Sequence, residues 1–149
     1  MIRRIALVTA LTLGLAATAV AQQKPEEVIE YRRAAMTMIG WNFAPMSAMA
    51  KGKIPFDAKE FAKHAERIAT TAPQVLEGFA KGSDKGAETD AKADIWTHFD
   101  DFQSKLTDLV NESKTTSEVA RGGDEAKVKE QFKKLGGTCK ACHDKYKQD

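Results

Sequence analysis

One short motif near the C-terminus constrains this chain more than any other feature: Cys139-Lys140-Ala141-Cys142-His143. C-x-x-C-H is the pattern at which c-type haem is attached. The two thiols add to the two vinyl groups of one porphyrin, and the histidine that follows the second thiol binds the iron. Cys139 lies three residues before Cys142 and four before His143, so on a helix all three share one face. The motif therefore predicts a helix that carries one covalent haem c.

Three other uses of the two cysteines have to be weighed against haem attachment. A thioredoxin-like redox pair belongs near a βαβ pattern, which this sequence lacks. Structural zinc takes four ligands, and the only further histidines or cysteines are His64 and His98, both distant in sequence. A disulfide between the cysteines is the third alternative. The motif favours haem, with zinc and a disulfide left open.

The N-terminus has the features of a secretory signal peptide over residues 1–21. Arg3 and Arg4 supply the charged start, an apolar stretch follows, and Ala19-Val20-Ala21 is an A-x-A cleavage site. A membrane anchor is the alternative, but the apolar stretch is short and is flanked by small residues. Cleavage before Gln22 would leave one domain over residues 22–149. This predicts a periplasmic protein, since c-type haem is attached outside the cytoplasm in bacteria.

The charge of the mature chain argues against binding to nucleic acid. Loss of Arg3 and Arg4 reduces the basic residues from 23 to 21, which equals the 21 acidic residues. A nucleic-acid binder needs a basic surface to neutralise phosphates. Lysines are concentrated in residues 124–149, which form either a solvated helix face or a docking rim for an acidic redox partner.

The first of four predicted helices spans residues 25–51. Pro25 suits its first turn, and Gly52 ends it. Apolar residues recur at steps of three and four and predict one inward face. Pro45 lies within this pattern, and we expect it to kink or break the helix.

The second predicted helix spans residues 57–79 and has the clearest start signal. Asp57 and Glu60 form a capping-box pattern. Pro73 is expected to bend the helix, and residues 80–90 are typical of a loop.

The third and fourth helices follow that loop. The third is predicted to start near Asp90 and to extend as far as Val119. The fourth is predicted over residues 124–147, with Asp124 as its N-cap. Gly136-Gly137 costs helical stability, and we expect close approach of a porphyrin or a neighbouring helix there. Four helices with short connections predict an all-α, up-down-up-down four-helix bundle that holds the haem between its helices.

Together these segments resemble the class II c-type cytochromes, the cytochrome c′ and c-556 group. The position of the haem motif at the very C-terminus separates them from class I cytochromes c. The resemblance covers nearly all of the mature chain and includes these segments: Tyr31-Arg32-Arg33, Met49-Ala50-Lys51-Gly52, Pro55-Phe56-Asp57, Gly82-Ser83-Asp84-Lys85-Gly86, Ile95-Trp96, and Cys139 to Tyr146.

The resemblance implies roles for particular residues. Cys139 and Cys142 would carry the thioether bonds, and His143 would be the axial ligand on the solvent side. Arg32 would pair with a haem propionate. Four further positions would contact the haem or surround its cavity: Arg33, Phe79, Asp90 and Trp96. The two aromatic residues among them could equally be ordinary core residues.

The resemblance also makes function depend on Met36, which matches the distal position of the family. In members like cytochrome c′ the distal side chain does not bind iron, so the iron is five-coordinate, high-spin and open to NO or CO. In members like c-556 a methionine binds iron and gives a low-spin electron carrier. The Tyr-Arg and aromatic segments favour the first interpretation, with electron transfer and gas binding as its functions.

The sequence gives no sign of an enzyme or of a nucleic-acid or membrane partner after signal cleavage. It has no Ser-His-Asp pattern, paired carboxylates or phosphate-binding loop. The partners we predict are redox proteins, NO or CO, and a second copy of the chain packed through the first two helices.

Overall fold

Five α-helices and one 3₁₀ helix build residues 23–148, the part of the chain that the computed structural model describes. They are α1 (Pro25–Ala50), α2 (Ala58–Thr71), the 3₁₀ helix (Ala72–Phe79), α3 (Asp94–Thr97), α4 (Phe99–Arg121) and α5 (Glu125–Tyr146). The long helices form a four-helix bundle, which confirms the predicted fold class. No helix in this part of the chain is both long and apolar enough to cross a membrane. The predicted signal peptide, residues 1–21, lies outside it.

Side-chain caps define the starts of two helices, as the sequence predicts. Asp57 accepts a hydrogen bond from the backbone N–H of Glu60 at 3.0 Å. Asp124 accepts from the N–H groups of Ala126 and Lys127 at 3.1 and 3.2 Å. Each carboxylate satisfies donors that have no partner inside the first helical turn.

Helix α1 continues through Pro45, so the break that the sequence offered as one of two outcomes does not occur. A proline inside a helix costs about 3 kcal/mol, because it removes one backbone hydrogen bond and crowds the preceding turn. Met46 and Met49, which follow it, are both buried in the core. Burial of each such side chain contributes about 1.5–3 kcal/mol. Core packing beyond Pro45 therefore outweighs its local cost.

The predicted second helix changes type at Pro73 instead of only bending. Its α-helical part ends at Thr71, and Pro73 lies in the first turn of the 3₁₀ helix. The 3₁₀ helix then packs against the backbone of α1 at Gly78. A Cβ at Gly78 would lie 2.4 Å from the Cβ of Arg32, so only glycine allows this contact.

The third helix starts later than predicted. Residues 90–92 are held by the C-terminal end of α5, because Lys92 N–H donates to the Tyr146 carbonyl (2.9 Å) and Gln148 N–H donates to the Asp90 carbonyl (2.7 Å). Helical turns begin only at Asp94, with a break at His98 before α4.

Within residues 23–148 no neighbouring helix approaches Gly136-Gly137 unusually closely, so that part of the expectation is wrong. A Cβ at Gly136 would lie 3.7 Å from Phe43, an ordinary contact, and one at Gly137 would meet no described atom within 4 Å. Neither glycine lines the cavity described below.

Two aromatic clusters fill the bundle and leave space between them. Phe43 stacks on Phe132 at 4.7 Å between ring centroids, and Phe61 packs edge-on against Phe132. The second cluster contains Phe79, Phe102 and Tyr146. The cavity lies between these clusters, with α1 on one side and α5 on another.

Candidate cofactor site

A cavity of about 490 Å³ opens between α1, the 3₁₀ helix, residues 88–102 and α5. Its size is that of a typical small-molecule site. Most of its wall is apolar, and the charged groups in it come from α1, residues 88–90 and the end of α5. The α1 wall consists of Arg32, Arg33, Met36, Ile39, Gly40 and Phe43, and the α5 wall of Cys139, Cys142, His143, Tyr146 and Lys147.

The two thiols of the C-x-x-C-H motif both face this cavity as free cysteines. Burial raises the pKa of Cys142 to about 11 and also raises that of Cys139. A redox-active cysteine of the thioredoxin type has a lowered pKa instead. His64 and His98 do not line the cavity, so they could not complete a zinc site with these thiols.

His143 lies on the same wall, one helical turn from Cys139. Removal of water from part of the imidazole lowers its pKa, and the positive charge of Lys147 lowers it further. Both effects favour the neutral imidazole, which is the form that binds a metal. The ring forms no hydrogen bond with any residue from 23 to 148.

Arg32 places a positive charge in the cavity wall. Its side chain is only 3 % exposed, and it forms no ion pair with any described residue. Nη1 donates to the carbonyls of Gly78 and Ser83 and to the Ser83 hydroxyl at 2.9–3.0 Å, and Nη2 donates to Thr89 Oγ1 at 2.8 Å. A buried charge without an opposite charge is costly. An anion in the cavity would offset that cost.

The other predicted residues divide into two groups. Arg33, Met36, Phe79 and Asp90 line the cavity, and Asp90 is paired with Lys147 at 3.4 Å. Trp96 does not line it. Its ring packs behind Phe79 at 5.9 Å, and its indole N–H donates to the Ala80 carbonyl.

Several residues of the site escaped sequence reasoning. Phe102 and Tyr146 have the spacing of core residues, and only the packing of α4 against α5 brings them to the cavity wall. Ser83 and Thr89, which hold Arg32, lie in a loop where no periodicity identifies them.

The residues present fit a haem c. Two thiols and an imidazole project from one helix face, apolar side chains form the walls, and an unpaired guanidinium marks the place for a carboxylate. Peptide, zinc or phosphate ligands would not explain that combination.

Comparisons with known proteins agree with this fit. The family model described as Cytochrome C′ matches residues 27–147. The chain is 37% identical to the cytochrome c′ of Halomonas halodenitrificans over 131 residues, which are 85% of this chain and 99% of the relative. It superposes on cytochrome c prime from Shewanella frigidimarina with a TM-score of 0.81 and 42% identity, covering 86% and 99% of the two chains. A nitric oxide complex of a variant cytochrome c prime from Alcaligenes xylosoxidans matches with a TM-score of 0.76 and 31% identity, covering 85% and 97%.

Proposed function

The chain belongs to the cytochrome c′ family, and on that premise we propose that it is a periplasmic haem protein with five-coordinate, high-spin iron that binds NO or CO and exchanges electrons. Proteins of this family carry one covalent haem c. The observation that carries the proposal is the apolar α1 wall at Met36, Ile39 and Phe43, within the cavity that also contains the motif. An apolar pocket admits small uncharged gases and disfavours charged ligands.

In this proposal Cys139 and Cys142 would form the thioether bonds and His143 would bind the iron. Four hydrogen bonds to protein oxygens fix the orientation of the Arg32 guanidinium. Its remaining N–H groups would donate to a haem propionate. Haem c supplies a one-electron redox couple and an open coordination position for a neutral diatomic molecule. Met36 acts as a wall that keeps water away from that position.

The same wall supports a carrier or gas-binding role rather than an enzymatic one. Peroxidase-like chemistry needs a polar acid–base group beside the bound ligand. Met36, Ile39 and Phe43 provide none. Redox partner proteins would approach the cavity mouth, where Asp90 and Lys147 lie.

A second copy of the chain is the other partner that we propose. Besides its inward stripe, α1 has an outward stripe of apolar residues at steps of three and four: Ala34, Met38, Trp41, Pro45 and Ala48. Trp41 is 78 % exposed and Met38 55 %. Beside them a groove of about 600 Å³ runs between α1 and α2. Heptad-like spacing of exposed apolar side chains favours helix-to-helix packing, so this stripe would form a homodimer.

Export by the signal peptide over residues 1–21 completes the proposal. Homologous cytochromes c′ are periplasmic, and covalent haem attachment requires export. The mature chain would then begin at Gln22.

The experiment that tests the function is the absorption spectrum of the purified holoprotein, oxidised and reduced, with and without CO. We expect a high-spin spectrum that shifts with CO, and the same spin state in Met36→Leu. A low-spin spectrum that ignores CO and becomes high-spin in Met36→Leu would instead establish methionine ligation. Mass spectrometry of the same sample should give residues 22–149 plus one haem. Absence of covalent haem would overturn the proposal.

A further inference from the structure

The last turn of α5, which follows His143, is fixed from the side of α4. The Tyr146 hydroxyl donates to Asp101 Oδ2 at 2.5 Å, and Lys145 Nζ lies 3.0 Å from the same oxygen. Tyr146 is only 2 % exposed, and its ring packs edge-on against Phe102 at 5.4 Å. A buried tyrosine that donates to a carboxylate forms a strong, directional hydrogen bond.

The same turn is also fixed by the loop before α3. An antiparallel bridge joins Ala91 to Lys147. Its two backbone hydrogen bonds, described above, involve the Tyr146 carbonyl and the Gln148 N–H. Two separate sets of contacts therefore restrain the chain within five residues of His143.

His143 itself has no such restraint on its ring. A metal-binding histidine usually donates its second ring N–H to a carboxylate, a carbonyl or water, and this contact fixes the orientation of the ring. No residue from 23 to 148 accepts a hydrogen bond from His143. The ring is exposed to solvent, so within residues 23–148 its position depends on the backbone of α5 that carries it.

We propose that Asp101 and Tyr146 are positioning residues for His143. Their hydrogen bond, together with the backbone bridge, holds the last turn of α5 so that the imidazole stays directed at the iron. The inference rests on the function proposed above. Asp101 does not line the cavity, so we expect it to act on the iron indirectly, through its hydrogen bond to Tyr146.

The test is the iron–histidine stretching band in the resonance Raman spectrum of the reduced holoprotein. We expect Tyr146→Phe and Asp101→Ala each to broaden this band and shift it to lower frequency. Asp101→Asn keeps an oxygen that accepts from Tyr146, so it should restore the parent band. A purely stabilising contact would change the unfolding midpoint but not the band.

Tyr31→Phe is the matched control. Tyr31 also donates to a carboxylate, Glu77 at 3.2 Å, but it does not line the cavity, so the band should not move.

Three outcomes would overturn the inference. The first is a band that is unchanged in both positioning variants. The second is a band that moves only in Tyr146→Phe, which would indicate an effect on the cavity wall. The third is a band that moves equally in Tyr31→Phe. A parent protein without covalent haem or without an iron–histidine band would instead contradict the proposed function, so the two failures are distinguishable.

Discussion

The guanidinium of Arg32 both binds the loop after the 3₁₀ helix and lines the cavity. Its hydrogen bonds reach Gly78, Ser83 and Thr89, so it ties the 3₁₀ helix and the following loop to α1. The same group faces Phe79, whose ring centroid is 4.9 Å from the Arg32 Cζ atom. Burial lowers the pKa of this guanidinium, and nearby Asp84 only partly opposes the effect.

We therefore expect Arg32→Met to destabilise the holoprotein by about 2–4 kcal/mol, because buried acceptors lose a charged donor. Methionine preserves most of the stem packing, so the loss measures the guanidinium. Lys114→Met is the control, since Lys114 is an exposed cation on α4 that does not line the cavity. Its effect should stay within about 0.5 kcal/mol. Urea unfolding followed by circular dichroism measures both, and equal losses would contradict the role of Arg32.

Sequence reasoning identified site residues where chemistry or helical spacing distinguished them. Cys139, Cys142 and His143 form a recognisable motif, and Met36 shares a helical face with Arg32. Which residues hold Arg32 could not be predicted, because those partners lie in a loop. A loop's contacts depend on tertiary packing and leave no periodic pattern.

Among the helices, α5 has a start that depends on one ionised carboxylate. The pKa of Asp124 is lower in the folded chain than usual, mainly because the backbone N–H of Lys127 donates a hydrogen bond to the carboxylate. A carboxylate with a depressed folded pKa stabilises the fold above its unfolded pKa of about 3.9. That stability is lost as the pH falls through the lower folded pKa.

We expect Asp124→Asn to reduce the acid sensitivity of the protein below about pH 4 while it keeps the cap, because asparagine caps nearly as well as aspartate. Asp124→Ala should lower the stability at neutral pH as well. Thermal unfolding midpoints from pH 7 to pH 2.5 measure both effects. Identical acid profiles for the parent and Asp124→Asn would show that the cap does not contribute to acid unfolding.

The extents of the helices were predictable where local signals exist. The caps at Asp57 and Asp124 gave correct starts. The start of the third helix was wrong because residues 90–92 pair with the chain around Tyr146, more than 50 residues away. Local propensity cannot report a contact over that distance.

For the molecule as a whole, α1 is the helix with apolar residues on two sides. Its inner side fills the core and the cavity wall, and the outward stripe carries Trp41 and Met38. We expect Trp41→Glu to convert a dimer into a monomer, because the charge would be buried at the centre of the interface. Light scattering after size-exclusion chromatography measures the mass.

The control for this change is Ile54→Glu, which introduces the same charge at an exposed apolar residue outside the stripe. It should leave the mass unchanged. A parent protein that is monomeric at all concentrations would rule out the proposed interface. A dimer that persists in Trp41→Glu would show that the interface lies on another surface.

The bundle itself was predictable because each long helix has an apolar face that must be buried against its neighbours. The cavity was not, since its volume depends on how Phe43 and Phe102 pack from different helices. A sequence pattern shows that a residue is buried but not whether it borders a space.

The contact between Gly78 and α1 has a consequence for how such sequences can diverge. The atoms that exclude a side chain at Gly78 are the Cβ, Cα and N of Arg32, which nearly every amino acid possesses. Replacement of the arginine therefore does not release the glycine. In relatives that have replaced Arg32, we expect position 78 to remain glycine. The two positions would then be under separate constraints, and Gly78 would identify distant relatives more reliably than Arg32.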